Sequence, residues 1–254
     1  MTLPTLLRDR LRASAIHLLL SGAIAALCAL LVFGIWYPYP YREISGGREL
    51  FQIVILVDII LGPLITFTVF NRAKPIKELR RDLTIVVLLQ IAALAYGLWT
   101  VSAARPVHMV FEIDRFRVVH AIDVPAELLN RTPTGVDALP LTGPTLLAVR
   151  PFRDANEGME ATFAALQGAP LAARPDLWES YAQATPRVLR AAHPVALLKS
   201  RFPDSAAEID QLVAAAGGNP QTAVYLPLVG RESFWTVLMD PAANVLGALP
   251  LDSF

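Results

Sequence analysis

Three long apolar runs dominate the first hundred residues of the chain. They cover about 15–35, 50–70 and 83–101, and each contains at most one charged residue. At about 1.5 Å of rise per residue, a helix of roughly 20 residues crosses the ~30 Å hydrocarbon core of a bilayer. The pattern therefore predicts three transmembrane helices, and residues 1–102 are interpreted as a membrane domain.

The middle run, Leu50–Phe70, contains three residues that a simple membrane anchor does not need, which are Asp58, Gly62 and Pro63. An ionisable group at this depth costs about 2.5–3.5 kcal/mol on insertion scales, so it is rare without a partner or a function. Pro63 has no N–H to donate to the carbonyl of Ile59, which loosens the helix. Gly62 allows another helix to approach closely. We predict that Asp58, Gly62 and Pro63 bind a partner.

Two interpretations of Asp58 remain open. It is an acid that binds a proton or a partner, or it is a structural acid bonded to Gln90, to Thr66 or to a basic side chain of another span. A proton-driven transporter needs several such groups, whereas these spans offer one acid and one glutamine. Three spans are also too few for a pore, so we expect a neighbouring membrane helix from a partner or a second copy.

The charges of the connecting segments predict the orientation of the spans. Met1–Ser14 carries three arginines against one acid, and Asn71–Asp82 carries five basic residues against two acids. Tyr37–Glu49 is neutral, and its prolines and glycines predict a loop that cannot be helical. By the positive-inside rule, the two basic segments are cytoplasmic. In a bacterium, the N-terminus would be cytoplasmic, the spans would lie in the inner (cytoplasmic) membrane, and residues 103–254 would be periplasmic.

Residues 103–254 show the shorter, mixed pattern of a globular domain. Alternating apolar residues and turn signals predict six β-strands: the hairpin Val107–Ile113 and Arg117–Ile122 with its turn at Asp114–Phe116, the strand Leu146–Val149, and the meander Ala223–Val229, Phe234–Met239 and Val245–Leu249. The predicted fold is an α+β membrane protein. Its three transmembrane helices are followed by an extracytoplasmic α+β domain with an antiparallel sheet.

Helices are predicted in the middle of this domain. The spacing of Met159, Phe163 and Leu166 predicts a helix over Ala155–Gln167, and a second helix is predicted over Asp204–Ala216. Several short helical pieces are predicted between them, cut by Pro175, Pro186, Pro194 and Pro203.

Composition supports a lipid environment and excludes some functions. The chain is 54% hydrophobic and 17% charged, with a mean hydropathy of +0.47. Because soluble domains are about 25% charged, this deficit favours a membrane. The net charge is zero, so no electrostatic feature predicts nucleic-acid binding. Cys28 is the only cysteine, and no Cys/His cluster has the spacing of zinc ligands.

The sequence contains no motif of an enzyme. His108, His120 and His193 are not associated with a nucleophile or a metal-binding motif, and we interpret them as structural or surface histidines. The glycine pairs Gly46-Gly47 and Gly217-Gly218 lack the setting and the lysine of a phosphate-binding loop. We therefore predict neither catalytic residues nor a cofactor or metal.

A set of motifs between Trp36 and Val101 resembles one protein family. The motifs are W-Y-P from Trp36, the pair Gly46-Gly47, D-x-x-L-G-P-L from Asp58 to Leu64, and N-x-x-K at Asn71 and Lys74. Together they resemble the type IV pilin accessory proteins of the TfpX/TfpZ group, also called FimB-like. The hairpin that follows the third span is similar to that family as well.

The resemblance implies an inner-membrane accessory protein, or chaperone, that stabilises a cognate type IV major pilin or assists its assembly into pili. A pilin before assembly has one membrane helix and a periplasmic head, so the implied contacts are with that helix and possibly with the head. The family supplies no catalytic residues. The alternative is a membrane-tethered periplasmic ligand-binding or signalling module, for which the short cytoplasmic segments provide no output domain.

Overall fold

The computed structural model describes residues 3–254. Met1 and Thr2, which begin the predicted basic segment and the predicted membrane domain, lie outside the described residues. The chain divides into two compact units. The helical unit comprises the chain up to Pro38 together with Gly47–Ala103, and the sheet unit comprises Tyr39–Gly46 together with Ala104–Phe254.

The helical unit contains the three long apolar helices that the sequence predicts. Within the described part of the chain, helices at Thr5–Trp36, Gly47–Val69 and Ile76–Ala103 are long and apolar enough to cross a membrane. The first long helix consists of α1 (Leu3–Leu31) and a π-helical turn (Val32–Trp36), and the connection after it contains a short helix, α2 (Tyr41–Ile44). The second consists of α3 (Gly47–Leu56), a π-helical turn (Val57–Leu61) and α4 (Gly62–Val69), and the third is α5 (Ile76–Ala103).

The middle helix continues through Pro63 by widening rather than by breaking. The π-helical turn Val57–Leu61 directly precedes Gly62 and Pro63. A proline inside a helix lacks an N–H and its ring collides with the carbonyl of the preceding turn, so a wider turn accommodates it. Asp58 lies in this widened turn.

A buried apolar cluster joins the three helices around Tyr37. Its members are Cys28, Val32, Tyr37, Phe51 and Val101. The Tyr37 hydroxyl donates a hydrogen bond to the carbonyl of Val101 at 3.0 Å. A methyl group on Gly47 would collide with the Tyr37 ring, so glycine is required where α3 begins.

The prediction that Tyr37–Glu49 cannot be helical is wrong, because this segment contains α2 and the start of α3. Pro40 is the residue just before α2, where a missing N–H removes no helical hydrogen bond. Gly46 adopts a positive φ of 66° and separates the two helices. The prolines and glycines therefore delimit helices here instead of preventing them.

The connection Tyr39–Gly46 packs into the sheet unit. The Ile44 side chain is fully buried in the largest core cluster of that unit, and the Ile44 carbonyl accepts the N–H of Arg231 at 3.2 Å. Tyr41 donates to the sulfur of Met109 at 3.6 Å, and burial raises the pKa of Tyr41 to about 12. A Cβ on Gly230 would lie 2.5 Å from Cγ2 of Ile44. The connection is thus part of a packed core.

The sheet unit is built on eight strands. They are β1 (Pro106–Glu112), β2 (Arg115–His120), β3 (Thr145–Val149), β4 (Trp178–Ser180), β5 (His193–Pro194), β6 (Val224–Val229), β7 (Phe234–Met239) and β8 (Val245–Leu249). The order across the sheet is β4-β3-β1-β2-β6-β7-β8, and β5 also pairs with β6. The α+β class is confirmed, and the six predicted strands are all present. The predicted turn at Asp114–Phe116 is wrong, because Arg115 and Phe116 pair with β1 and the turn is Ile113-Asp114.

The prediction of an antiparallel sheet is wrong, because the sheet is mixed. Strand β3 pairs in parallel with β1, and β6 pairs in parallel with β2. The β1–β2 hairpin and the β6–β7–β8 meander have short connections, which require antiparallel pairing. The connections before β3 and β6 are long enough to allow either parallel or antiparallel pairing of these strands. Residue alternation identifies strands but does not determine the direction of such distant pairs.

Besides α2, four α-helices accompany the sheet: α6 (Ala155–Leu166), α7 (Tyr181–Ala191), α8 (Val195–Arg201) and α9 (Ala206–Ala215). Pro186 lies inside α7, so the predicted cut at this proline is wrong. The proline removes one helical hydrogen bond. Ala184 and Val188 on the same helix are fully buried, and their packing stabilises the turn that contains the proline.

Helix α6 directs its larger apolar side chains to solvent. Met159, Phe163 and Leu166 are 55%, 57% and 79% exposed, whereas Ala161 is fully buried. The helix is present as predicted, but the spacing that predicts it does not mark the side that faces the core. Asp154 caps its N-terminus by accepting the N–H of Glu157 at 2.8 Å.

Candidate functional site

A groove runs along the helical unit between α1 and α5. Both helices pack on α4, which forms the floor of the groove. The cavity volume is about 730 Å³. Its lining residues are Asp9, Arg12, Ala13, Ile16, His17, Leu20, Ser21, Ile24, Asp58, Thr66, Phe70, Arg72, Leu83, Val86, Val87, Gln90, Ile91 and Leu94.

The α1 wall of the groove is an apolar ridge. Ile16, Leu20 and Ile24 recur every four residues and therefore lie on one face of the helix. They are 54%, 61% and 47% exposed. At about 1.5 Å per residue, this ridge is on the order of 12 Å long.

The α5 wall has the same character. Val87, Ile91 and Leu94 have the spacing of one helix face, and Val87 and Ile91 are about half exposed. Two long apolar ridges beside a shared floor match the shape of one additional helix lying between α1 and α5. A compact polar ligand would leave most of these side chains uncovered.

Polar side chains lie at the floor of the groove. Nδ1 of His17 and the Thr66 hydroxyl are 2.5 Å apart and form a hydrogen bond between α1 and α4. Asp58 is only 7% exposed. Its Oδ1 atom is buried and has no hydrogen-bond partner among the described residues. An unsatisfied acceptor in an apolar setting is destabilising by about 1–3 kcal/mol, and more when it is charged.

Gly62 and Pro63 are buried beside the groove and do not line it. A Cβ on Gly62 would collide with the side-chain amide of Gln90 and would lie 3.2 Å from Nε2 of His17. The Pro63 carbonyl accepts a hydrogen bond from the Ser14 hydroxyl at 2.9 Å. Both residues thus allow α1 and α5 to pack on α4.

Of the three residues predicted to bind a partner, the structure therefore brings only Asp58 to the groove. Among residues 3–254, Asp58 makes no hydrogen bond to Gln90 or Thr66, the two partners considered for a structural acid. Thr66 pairs with His17, and the Gln90 side chain lies over Gly62. The partner-binding role of Asp58, Gly62 and Pro63 stays a prediction.

His17 is a site residue that sequence reasoning missed, and Gln90 was considered only as a hydrogen-bond partner of Asp58. Each is a polar side chain within an otherwise apolar run, which is the signal that singled out Asp58. Sequence alone does not indicate that these two side chains meet at Gly62, because that depends on how the three helices pack.

The basic segments meet at one end of the helical unit. Nε of Arg10 donates to the carbonyl of Phe70 at 3.0 Å, and Arg72 forms a 3.8 Å ion pair with Asp9. The first turns of α1 and the connection between α4 and α5 therefore lie at the same end of the helical unit. Asp9 and Arg72 also line that end of the groove.

The buried ionisable groups of the sheet unit have structural partners. His108 is fully buried, with Nδ1 2.7 Å from the Thr145 hydroxyl and Nε2 3.1 Å from the carbonyl of Ala138. Burial lowers its pKa to about 4. Glu112 accepts hydrogen bonds from Nε of Arg117 at 2.6 Å and from the N–H of Ala172 at 3.1 Å. These contacts hold strands and connections together.

His120 and Asp123 form a second pair, in which His120 is buried and Asp123 is partly exposed. Nδ1 of His120 is 3.0 Å from Oδ2 of Asp123, and Arg231 donates to Oδ1 at 2.9 Å. Burial opposes ionisation, but the hydrogen bonds from His120 and the charge of Arg231 lower the pKa of Asp123. His193 is exposed. Among residues 3–254, no group of three His, Cys, Asp or Glu side chains is arranged to hold a metal ion.

Comparison with known proteins identifies similar sequences along nearly the whole chain. A family profile described as fimbrial assembly protein FimB matches residues 5–46. The fimbrial assembly protein of serogroup I from Dichelobacter nodosus is 36% identical over 246 residues, which cover 96% of this chain and 95% of that protein. The serogroup E1 protein of the same organism is 34% identical over 245 residues, with the same coverage.

A shorter relative matches part of the chain. The fimbrial assembly protein of serogroups C1 and C2 from Dichelobacter nodosus is 40% identical over 122 residues, covering 48% of this chain and 91% of that protein. No solved structure matches the chain.

Proposed function

The chain belongs to the family of FimB fimbrial assembly proteins, and from this premise we propose that it is an inner-membrane accessory protein that holds the membrane helix of a cognate type IV pilin before assembly. Its relatives are named for fimbrial assembly, which supports a role in pilus biogenesis. In this proposal the sheet unit lies in the periplasm, where it is available to the pilin head.

The open groove between α1 and α5 is the observation that carries the proposal. A subunit waiting for assembly has a membrane helix without its neighbours in the pilus. Helices in a bilayer associate through close packing and hydrogen bonds rather than through the hydrophobic effect. The two apolar ridges and the polar floor offer both kinds of contact to one helix.

The three predicted residues have different roles in this proposal. Asp58 contacts the bound helix directly from the floor of the groove. Gly62 and Pro63 act indirectly, because they allow α1, α4 and α5 to pack into the shape that the helix fits.

Filling the groove tests this function. Ile91 lines the groove and is 58% exposed, so Ile91→Trp places a large side chain where the pilin helix would lie. Leu89 is 65% exposed on the same helix but does not line the groove, so Leu89→Trp is the matched control. Pilin that co-purifies with the full chain in detergent and pili on the cell surface are the two measurements.

We expect Ile91→Trp to lose most of the co-purified pilin and of the surface pili, and Leu89→Trp to retain both. Equal amounts of each variant in the membrane fraction show that expression is unchanged. If pilin binding and piliation are unaffected by Ile91→Trp, the groove does not hold the pilin helix.

A further inference from the structure

Asp58 is a buried acid in the lining of the groove, and an apolar helix does not complement it. It is 93% buried, it lines the groove, and its Oδ1 atom has no hydrogen-bond partner within the described part of the chain. Three neighbouring polar side chains, His17, Thr66 and Ser14, have other contacts. His17 pairs with Thr66, and Ser14 donates to the Pro63 carbonyl.

A helix that is apolar on all sides would cover the 7% of Asp58 that is still exposed. It would supply no hydrogen-bond donor to the carboxyl group in return. A buried acceptor without a donor is destabilising, whereas a hydrogen bond to a charged group is favourable. The groove therefore discriminates between membrane helices by what they present to Asp58.

We infer that the helix held in this groove carries a side-chain hydrogen-bond donor that faces Asp58 and is otherwise apolar where it contacts the two ridges. This inference rests on the proposed function, because it specifies the partner of the same groove. It makes Asp58 a specificity determinant, since helices without the donor pack against the same ridges but offer no hydrogen bond to its carboxyl group.

The shape of the groove limits where the donor lies. Asp58 is in the widened turn of the middle helix, while the ridges of α1 and α5 run along both sides of the floor. Only the side of the bound helix that faces the floor can reach Asp58. The donor is therefore a single inward-facing position on the bound helix.

Photo-crosslinking in cells that express the pilin tests the inference on the full chain. A photoreactive residue at Leu20 on the α1 ridge reports the bound helix by the yield of pilin adduct. Into this background we place Asp58→Leu, which removes the acceptor, or Asp58→Asn, which keeps an acceptor oxygen and loses the charge. Adduct is normalised to the amount of full chain in the membrane.

We expect Asp58→Leu to lower the adduct about tenfold and Asp58→Asn to stay within about threefold of the parent, because one good hydrogen bond corresponds to about a factor of ten. If Asp58→Leu gives the parental yield, the inference is overturned. It is also overturned if Asp58→Asn falls as far as Asp58→Leu, because the charge rather than the acceptor would then be recognised.

A second arm leaves Asp58 intact and so does not depend on how its variants fold. Each donor side chain of the pilin membrane helix is changed to Leu, one at a time, against the parental chain. One position is expected to lose adduct about tenfold, and no effect at any position contradicts the inference. Adduct that is absent from the parental chain itself overturns the proposed function instead, so the two failures are distinguishable.

Discussion

Ile44 provides the sharpest test of the fold, because the sequence places it in a short loop and the structure buries it completely. It lies in the connection between the first two apolar helices, yet it belongs to the same core cluster as Phe111 and Trp235. The change Ile44→Ala removes three carbon atoms from this core. The main-chain hydrogen bond from Arg231 to the Ile44 carbonyl is unaffected by the substitution.

The magnitude follows from the buried carbon atoms. At about 0.8 kcal/mol for each buried carbon, the transfer contribution is about 2.4 kcal/mol. The cavity left behind adds to this, and Ile→Ala changes in cores cost about 2–5 kcal/mol. We therefore expect the free energy of unfolding of the sheet unit to fall by about 3 kcal/mol.

Urea unfolding of the full chain in detergent, followed by tryptophan fluorescence, measures this loss. Tyr39→Ala is the matched control, because Tyr39 lies in the same connection but is 62% exposed and contacts Arg42 only through a 5.5 Å cation–π approach. We expect this control to cost less than about 1 kcal/mol. Equal midpoints for Ile44→Ala and Tyr39→Ala would refute the burial of the connection.

Three further predictions concern the sheet unit. Burial holds the pKa of His108 at about 4, below the ~6.5 of an unfolded histidine. The contribution of neutral His108 to the free energy of unfolding is therefore fully present above about pH 6.5 and is lost as the pH falls towards 4, by ~3 kcal/mol. Urea midpoints measured against pH should show this fall, and His108→Gln should abolish it. Gly230→Ala should cost about 1–3 kcal/mol in the same assay, because its Cβ would lie 2.8 Å from the carbonyl oxygens of Ile44 and Ser233. Asp154→Ala should cost about 1 kcal/mol, measured by thermal melting with circular dichroism, because it removes the cap of α6.

The strands were predictable because their signals are local. Alternation of apolar residues and nearby turn residues identified β1, β2, β3 and β6–β8. Strands β4 and β5 were missed because they have three and two residues, too few for a recognisable alternation. The parallel pairing of β3 with β1 depends on contacts between distant segments, which local patterns do not contain.

The same distinction applies to the site. Asp58 was predictable because an acid within an apolar run is conspicuous in sequence. The function of Gly62 was only half predictable, since a glycine signals close helix contact but not which helices make it. In the structure the contact is with His17 and Gln90 of the same chain. The groove itself arises from the order in which the three helices pack, and no single residue signals it.

The burial of Ile44 was the largest feature of the core that the sequence did not predict. Its neighbours Pro38, Pro40, Gly46 and Gly47 indicate a loop, and one apolar residue among them carries no periodicity. Its burial follows from the contact with the β6–β7 turn at Gly230, which lies far along the chain.

A photo-crosslinking scan along α1 tests the central claim, that one pilin helix lies between α1 and α5. The photoreactive residue is placed in turn at Ile16, Leu20 and Ile24, which line the groove, and at Leu19 and Leu27, which are exposed but do not line it. The account predicts pilin adducts at the three groove positions and little at the other two. Equal yields at all five positions, or adducts only at Leu19 and Leu27, would contradict it.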